Sequence, residues 1–155
     1  MTFRHPNSIP DLYQTFNILQ PISPLYPGFS NWYWNKVVTG IITGNDKIII
    51  AEKKDELVGV SIIKKGSENK LRALRISKKF QNKGSGLYLL DQSLKELGVD
   101  KPIVSVAEEM INDFSRIFIN RYYFNMTHVY KNLYRKNKLE YEFNGTQNLK
   151  EKTPY

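Results

Sequence analysis

The stretch that most restricts how this chain can fold runs from Leu71 to Leu97: LRALRIS, then KKF, then QNKGSG, then LYLLDQSLKEL. It reads as a strand, a short loop and a helix. Leu71, Ala73 and Arg75 are expected on one face of the strand, and Arg72, Leu74 and Ile76 on the other. Leu87, Leu90, Leu94 and Leu97 recur at helical spacing, which predicts an amphipathic helix after Gly86. Gly84 and Gly86 sit just before it. Glycine there lets the backbone take positive φ and come close to a ligand. The first amides of a helix have no partner within it and stand at the positive end of its dipole, so they suit a phosphate or pyrophosphate. Charge agrees. No acidic residue lies between Glu68 and Asp91, whereas Lys70, Arg72, Arg75, Lys78, Lys79 and Lys83 do. The plainer alternative is a glycine turn with solvated lysines. A Walker A loop is excluded, because no Gly-Lys-Ser/Thr follows at the required spacing. A dinucleotide fingerprint is excluded by the absence of Gly-x-Gly-x-x-Gly.

At 155 residues the chain is long enough for one domain with a real core, and 41% hydrophobic content argues against disorder. There is no cysteine and only two histidines, His5 and His128. Disulfides, zinc–thiolate sites and cysteine nucleophiles are excluded, and no metal is expected. No apolar run approaches the roughly 20 residues of a membrane span, and Met1–Pro6 lacks a secretory apolar segment. A cytoplasmic protein with no membrane partner is the expectation. A net charge of +8 favours acidic partners: nucleic acid, a phosphorylated cofactor or an acidic protein surface.

Residues 1–30 are proline-rich. A short helix is predicted over 10–19, with Leu12, Phe16 and Leu19 on one face, and the prolines make 20–28 a loop. Ser30 is expected to cap a helix over 31–38 that ends near Gly40. Trp32, Tyr33 and Trp34 read either as core or as an acceptor wall or base-stacking surface. The β-branched runs 47–52 and 57–63 predict an antiparallel hairpin, followed by a turn at 66–69 and the strand 71–77. Gly98 ends the glycine-loop helix, and a strand over 103–107 follows. Strand–helix–strand implies a right-handed parallel crossover. A helix is expected over 112–124, then segments 126–134 and 140–143, the second a strand. The domain is expected to span 1–145, followed by a polar, frayed tail over 146–155.

Ile76 followed by Gln81-x-x-Gly84-x-Gly86 resembles the acyl-CoA loop of the GNAT N-acetyltransferase superfamily. The order of elements resembles the GNAT fold over roughly 45–145, and more loosely over 1–40. A second family motif, Asn-x-x-Ala-x-x-x-Tyr-x-x-x-Gly-Phe, is matched at Asn112 and Phe124, closely at Ser115, and not at Ile119 or Tyr123. The resemblance implies an α/β (α+β) GNAT fold: a mostly antiparallel mixed sheet of six to seven strands, helices on both faces, and one splayed parallel pair. It implies acetyl-CoA as acyl donor. Backbone groups of Leu74, Arg75 and Ile76 would run along the pantetheine arm. The amides of Gln81, Asn82, Lys83, Gly84, Ser85 and Gly86 would surround the pyrophosphate, and Lys83, Lys78 or Lys79 would meet remaining phosphate charge. Asn112, from the second motif, is also a candidate cofactor-binding residue, and Ser115 is a candidate contact to the thioester sulfur.

The family's frequent general acid falls at Ile119, which cannot donate a proton. Tyr122 is the expected substitute, against a packing role, and Glu108 the expected base, with Glu109 second and plain solvation as the alternative for each. The function implied is acetyl transfer to a primary amine in a ternary complex by a monomer or homodimer. Two alternatives stand beside it: an acyl-CoA-binding module with little catalysis, and a toxin-like enzyme acting on aminoacyl-tRNA, which the basic charge would suit. The acceptor itself is not specified by these motifs.

Overall fold

The computed structural model describes residues 1–146. The polar tail expected from residue 146 onward lies, from 147, outside the described residues. Among the described residues, seven strands form two sheets. In the first, β1 (Thr2–Arg4), β2 (Asp46–Lys53), β3 (Glu56–Lys64) and β4 (Lys70–Ile76) lie in that order, all antiparallel. In the second, β7 (Leu139–Phe143) lies between β5 (Val104–Ala107) and β6 (Met126–Lys131), again antiparallel.

The two sheets meet at one point. Lys70 and Ile103 form a parallel bridge, with the Leu71 amide donating to the Ile103 carbonyl at 3.0 Å and the Ile103 amide to the Asn69 carbonyl at 2.9 Å. Beyond it β4 and β5 no longer pair. The expected parallel pair therefore exists, but only at its root.

Helices cover both faces. On one face α4 (Ser85–Leu97) and α5 (Ile111–Arg116) pack with Ile49, Ile63, Leu71, Leu89, Val106, Phe118 and Phe143. On the other, α1 (Ile9–Leu19), α2 (Phe29–Trp32) and α3 (Val38–Thr43) pack with Ile48, Ile50, Val60 and Ile62. The alternation of β2 explains the division: Ile49 and Ala51 face one core, Ile48 and Ile50 the other.

Several local expectations are revised. The alternation expected over 71–76 is broken by a bulge. Ile63 pairs with Leu71 and Ile62 with Ala73, so Arg72 is an extra residue in β4. Leu71, Leu74 and Ile76 consequently share the α4 face, while Ala73 packs on the other. Arg72 lies over the Trp32 ring at 5.9 Å and donates to buried Asp46 at 3.0 Å. The predicted loop 20–28 contains a 3-10 helix over Gln20–Leu25, with Pro21 in its first turn and Pro24 within it. The following helix begins at Phe29 after Gly28, passes through a π turn (Tyr33–Val37) and runs to Gly44, not Gly40. Gly40 stays helical, and the buried Asp46 side chain occupies the space a Cβ there would need. The helix expected over 112–124 is α5 followed by a π turn (Ile117–Arg121), ending at Tyr122 before Tyr123, whose φ is +56°.

Candidate active site

Where β4 and β5 part, a cleft of about 800 Å³ opens. Leu74, Arg75 and Ile76 line one wall, Val104, Ser105, Val106 and Ala107 the other, and Asn112, Phe114, Ile117 and Phe118 close one side. Phe80, Gln81, Asn82 and Gly86 lie at its outer end. Unpaired strand edges have backbone donors and acceptors to offer an extended ligand. Arg75 on β4 and Arg116 on α5 both line the cleft, and neither is in an ion pair among the described residues.

The loop is shaped by its own residues. The Gln81 side chain donates to the Ile76 carbonyl at 2.9 Å, folding the loop back onto the strand end. Asn82 and Gly84 take positive φ, +60° and +81°, and Gly84 is the N-cap of α4. A Cβ at Gly86 would find only Ile76 Cγ1, at 3.7 Å, so the protein's own packing does not require glycine there. Without a side chain, the backbone at this position is open to close approach from the cleft.

At its inner end the cleft continues into a smaller cavity of about 170 Å³ that shares Tyr26, Arg72, Val104 and Ser105 with it and adds Trp32, Tyr134 and Glu142. Behind Tyr26 and Ser105 lies Glu140, 3% exposed. The Tyr26 hydroxyl donates to Glu140 Oε1 at 3.1 Å, and Ser105 also hydrogen-bonds the carboxylate. Burial pushes the Glu140 carboxyl up to about 7, against the lowering effect of Tyr26, Arg135 and Ser105. Burial likewise raises the Tyr134 phenol, which hydrogen-bonds Ser105 and packs edge-on against Tyr26 with ring centroids 5.3 Å apart.

Of the residues expected at a cofactor site, Leu74, Arg75, Ile76, Gln81, Asn82, Gly86 and Asn112 line the cleft. Lys83, Gly84 and Ser85 lie on the same loop but outside the lining, as does Ser115 on α5. The two expected catalytic residues are not brought to the cleft. The Tyr122 hydroxyl donates to Asp91 on α4 at 2.6 Å, and burial first, then Asp91, pushes it up to about 12. Glu108 turns to β7, where the Leu139 amide donates to it at 3.4 Å and Lys138 lies 3.6 Å away. Glu109 accepts two 2.7 Å hydrogen bonds from Arg135, whose guanidinium holds it down at about 2. Such a carboxylate is a poor base.

Tyr26, Ser105, Tyr134 and Glu140 escaped the sequence reading. Tyr26 lies in a proline-rich segment that reads as loop. Glu140 and Glu142 alternate with Tyr141 and Phe143 as a half-solvated strand would, yet both carboxylates are buried, with Tyr26 and Tyr134 against the Glu140 side.

No protein-family model and no curated protein matches the sequence. Solved structures do match its fold. The ribosomal-protein-S18-alanine N-acetyltransferase of Escherichia coli superposes with TM-score 0.69 at 16% identity, over 96% of this chain and 98% of that one. The ribosomal-protein-alanine N-acetyltransferase of Brucella melitensis gives 0.70 at 15%, over 92% and 98%. A GNAT family acetyltransferase of Elizabethkingia anophelis with acetyl-CoA bound gives 0.60 at 15%, over 92% and 95%. The chain has the GNAT fold, its described residues forming seven strands with helices on both faces.

Proposed function

We propose that the protein is an acetyl-CoA-dependent N-acetyltransferase that passes an acetyl group to a primary amine by direct transfer in a ternary complex. The observation that carries this reading is the parting of β4 and β5 after the Lys70–Ile103 bridge, directly above a glycine loop that caps a 13-residue helix. The residues suit an acyl-CoA. Two unpaired strand edges match the amides of a pantetheine arm, and Gly86 leaves the loop backbone approachable. Arg75 and Arg116 supply positive charge without an internal partner among the described residues. The bound acetyl-CoA seen in the Elizabethkingia neighbour supports the choice of donor.

Acetyl-CoA supplies the activated acyl group as a thioester. The chain's own residues have three tasks. Leu74, Arg75 and Ile76 would hold the pantetheine arm as an added strand. The amides of Asn82 to Gly86 would face the pyrophosphate, with Lys83 beside them. Asn112 would border the arm from α5. Holding both reactants in one cleft supplies much of the rate by orientation alone, and the apolar walls at Val104, Val106, Phe114 and Phe118 would exclude water.

The names of the two ribosomal-protein enzymes make a peptide N-terminal amine the first acceptor to try; the net charge makes charged tRNA the second. Labelled acetyl-CoA is offered with peptide N-termini, lysine, polyamines, aminoglycosides and charged tRNA. Label is expected in one amine class. Binding of acetyl-CoA with no labelled product in any class would replace this reading with that of an acyl-CoA-binding module.

A further inference from the structure

We propose that Glu140, acting through the Tyr26 hydroxyl, receives the proton that an incoming primary ammonium must lose, and that the inner end of the cleft therefore admits its acceptor as a cation. The proposal rests on the N-acetyltransferase reading and adds a positioning residue to it.

Glu140 is the second residue of β7, opposite Ala107, and is nearly sealed from solvent. Two hydroxyls, Tyr26 and Ser105, hydrogen-bond it, and among the described residues no cation bonds it directly. Arg135 is near but directs its guanidinium to Glu109. A buried carboxylate is ordinarily matched by a cation, because its own desolvation is severe. One held only by hydroxyls is instead able to change its protonation state at modest cost. Tyr26 and Ser105 both line the cleft and its inner cavity, so they stand between Glu140 and any amine bound there.

The proton balance is simple. The ammonium N–H bond breaks as its proton passes to the Tyr26 oxygen. Tyr26 passes its own proton to Glu140 Oε1. The ammonium becomes a neutral amine, the carboxylate a carboxylic acid, and Tyr26 is unchanged. The carboxyl's pKa of about 7 is nearer to an amine's than that of an ordinary glutamate, which improves it as a recipient. The groups that face this site are mixed. Tyr26 comes from the segment after the 3-10 turn, Ser105 from β5, Tyr134 and Arg135 from the β6–β7 connection, Glu109 from the end of β5 and Tyr130 from β6. Glu142, two residues along β7, is 3.2 Å from His128.

Two readouts test this. On the protein alone, carboxyl-13C-glutamate NMR follows each glutamate across pH. One carboxyl titrating near 7 is expected, absent in Glu140→Gln and displaced upward in Tyr26→Phe, which loses the donor. On transfer, the first amine labelled in the screen is used to measure kcat/KM against pH. A rising limb near pH 7 is expected in the wild type and lost in both variants, with rates at pH 7 down about 100-fold. Their thermal shift with acetyl-CoA is expected unchanged, which also reports that they fold. A Glu140→Gln chain that binds acetyl-CoA and keeps the wild-type limb and rate overturns the proposal, as does the absence of any carboxyl titrating near 7. A wild-type chain that neither shifts with acetyl-CoA nor labels any amine overturns the N-acetyltransferase reading itself, and this proposal with it.

Discussion

The two ends of the cleft are built in opposite ways. The outer end is made from one contiguous run, Ile76 to Gly86, folded on itself by Gln81 and presented mainly as backbone. The inner end is assembled from side chains far apart in the chain: Tyr26 and Glu140, bonded to each other, are 114 residues apart. A backbone site separates binding from stability, because few side chains carry it. A site of buried polar side chains joins the two, because every group there must satisfy another. Substitutions at the outer end should change affinity with little effect on folding, and those at the inner end should change folding and its pH dependence.

The largest effect is expected beside the inner cavity. Asp46 is 5% exposed, and burial already raises its carboxyl despite Arg72. Arg72→Ala would leave it without the guanidinium and remove the cover over Trp32. A loss of about 3 kcal/mol in urea unfolding at pH 7 is expected. A loss under 1 kcal/mol would mean that the bulge residue is dispensable to the fold.

The outer end should behave in the reverse sense. Gly86→Leu should weaken acetyl-CoA binding by about 100-fold, equivalent to about 2.7 kcal/mol, with the unliganded melting temperature near wild type. Gly86→Ala sharpens the contrast. Its Cβ meets only Ile76 at 3.7 Å, and alanine is the better helix former by about 0.5–1 kcal/mol, so stability should hold or rise while affinity falls about tenfold. A fall in both together would break the distinction between the two ends.

Glu140 gives the inner end a pH signature. Its native value of about 7 lies above the ordinary 4.5. Between those values the native state keeps a proton that the unfolded chain has released. Stability should therefore decline as pH rises from about 4.5 to 7 and level off above. Glu140→Gln should flatten that slope and be the more stable chain at pH 8. Equal slopes in the two would deny the linkage. The smallest effect is expected away from both ends. Ser93 and Ser61, fully buried, share a 2.7 Å hydrogen bond between α4 and β3, and Ser93→Ala should lose about 1 kcal/mol with acetyl-CoA affinity unchanged.

The same contrast decides what could be read from residues alone. The glycine loop, its helix and the hairpin β2–β3 were legible because their signals are local: spacing of leucines, paired glycines and β-branched runs. The splayed strands were legible as an order of elements. The bulge at Arg72 was not, since it depends on how β4 registers against Ile62 and Ile63 rather than on its own sequence. Nor were the π turns, which leave Ile119 exposed and aim Tyr122 at Asp91. Glu108, the expected base, is tied to β7. Glu140 carries no local sign of burial, because what covers it comes from Tyr26 and Tyr134, elements that meet it only in the folded chain.

The central claim is that the parted strands and glycine loop hold an acyl-CoA. Thermal unfolding of the wild-type chain against acetyl-CoA concentration tests it most directly. A ligand that binds only the folded state must raise the melting temperature in proportion to the logarithm of its excess concentration. The account predicts that rise at micromolar to millimolar acetyl-CoA, and its loss in Gly86→Leu. An unchanged melting temperature at millimolar acetyl-CoA would contradict it.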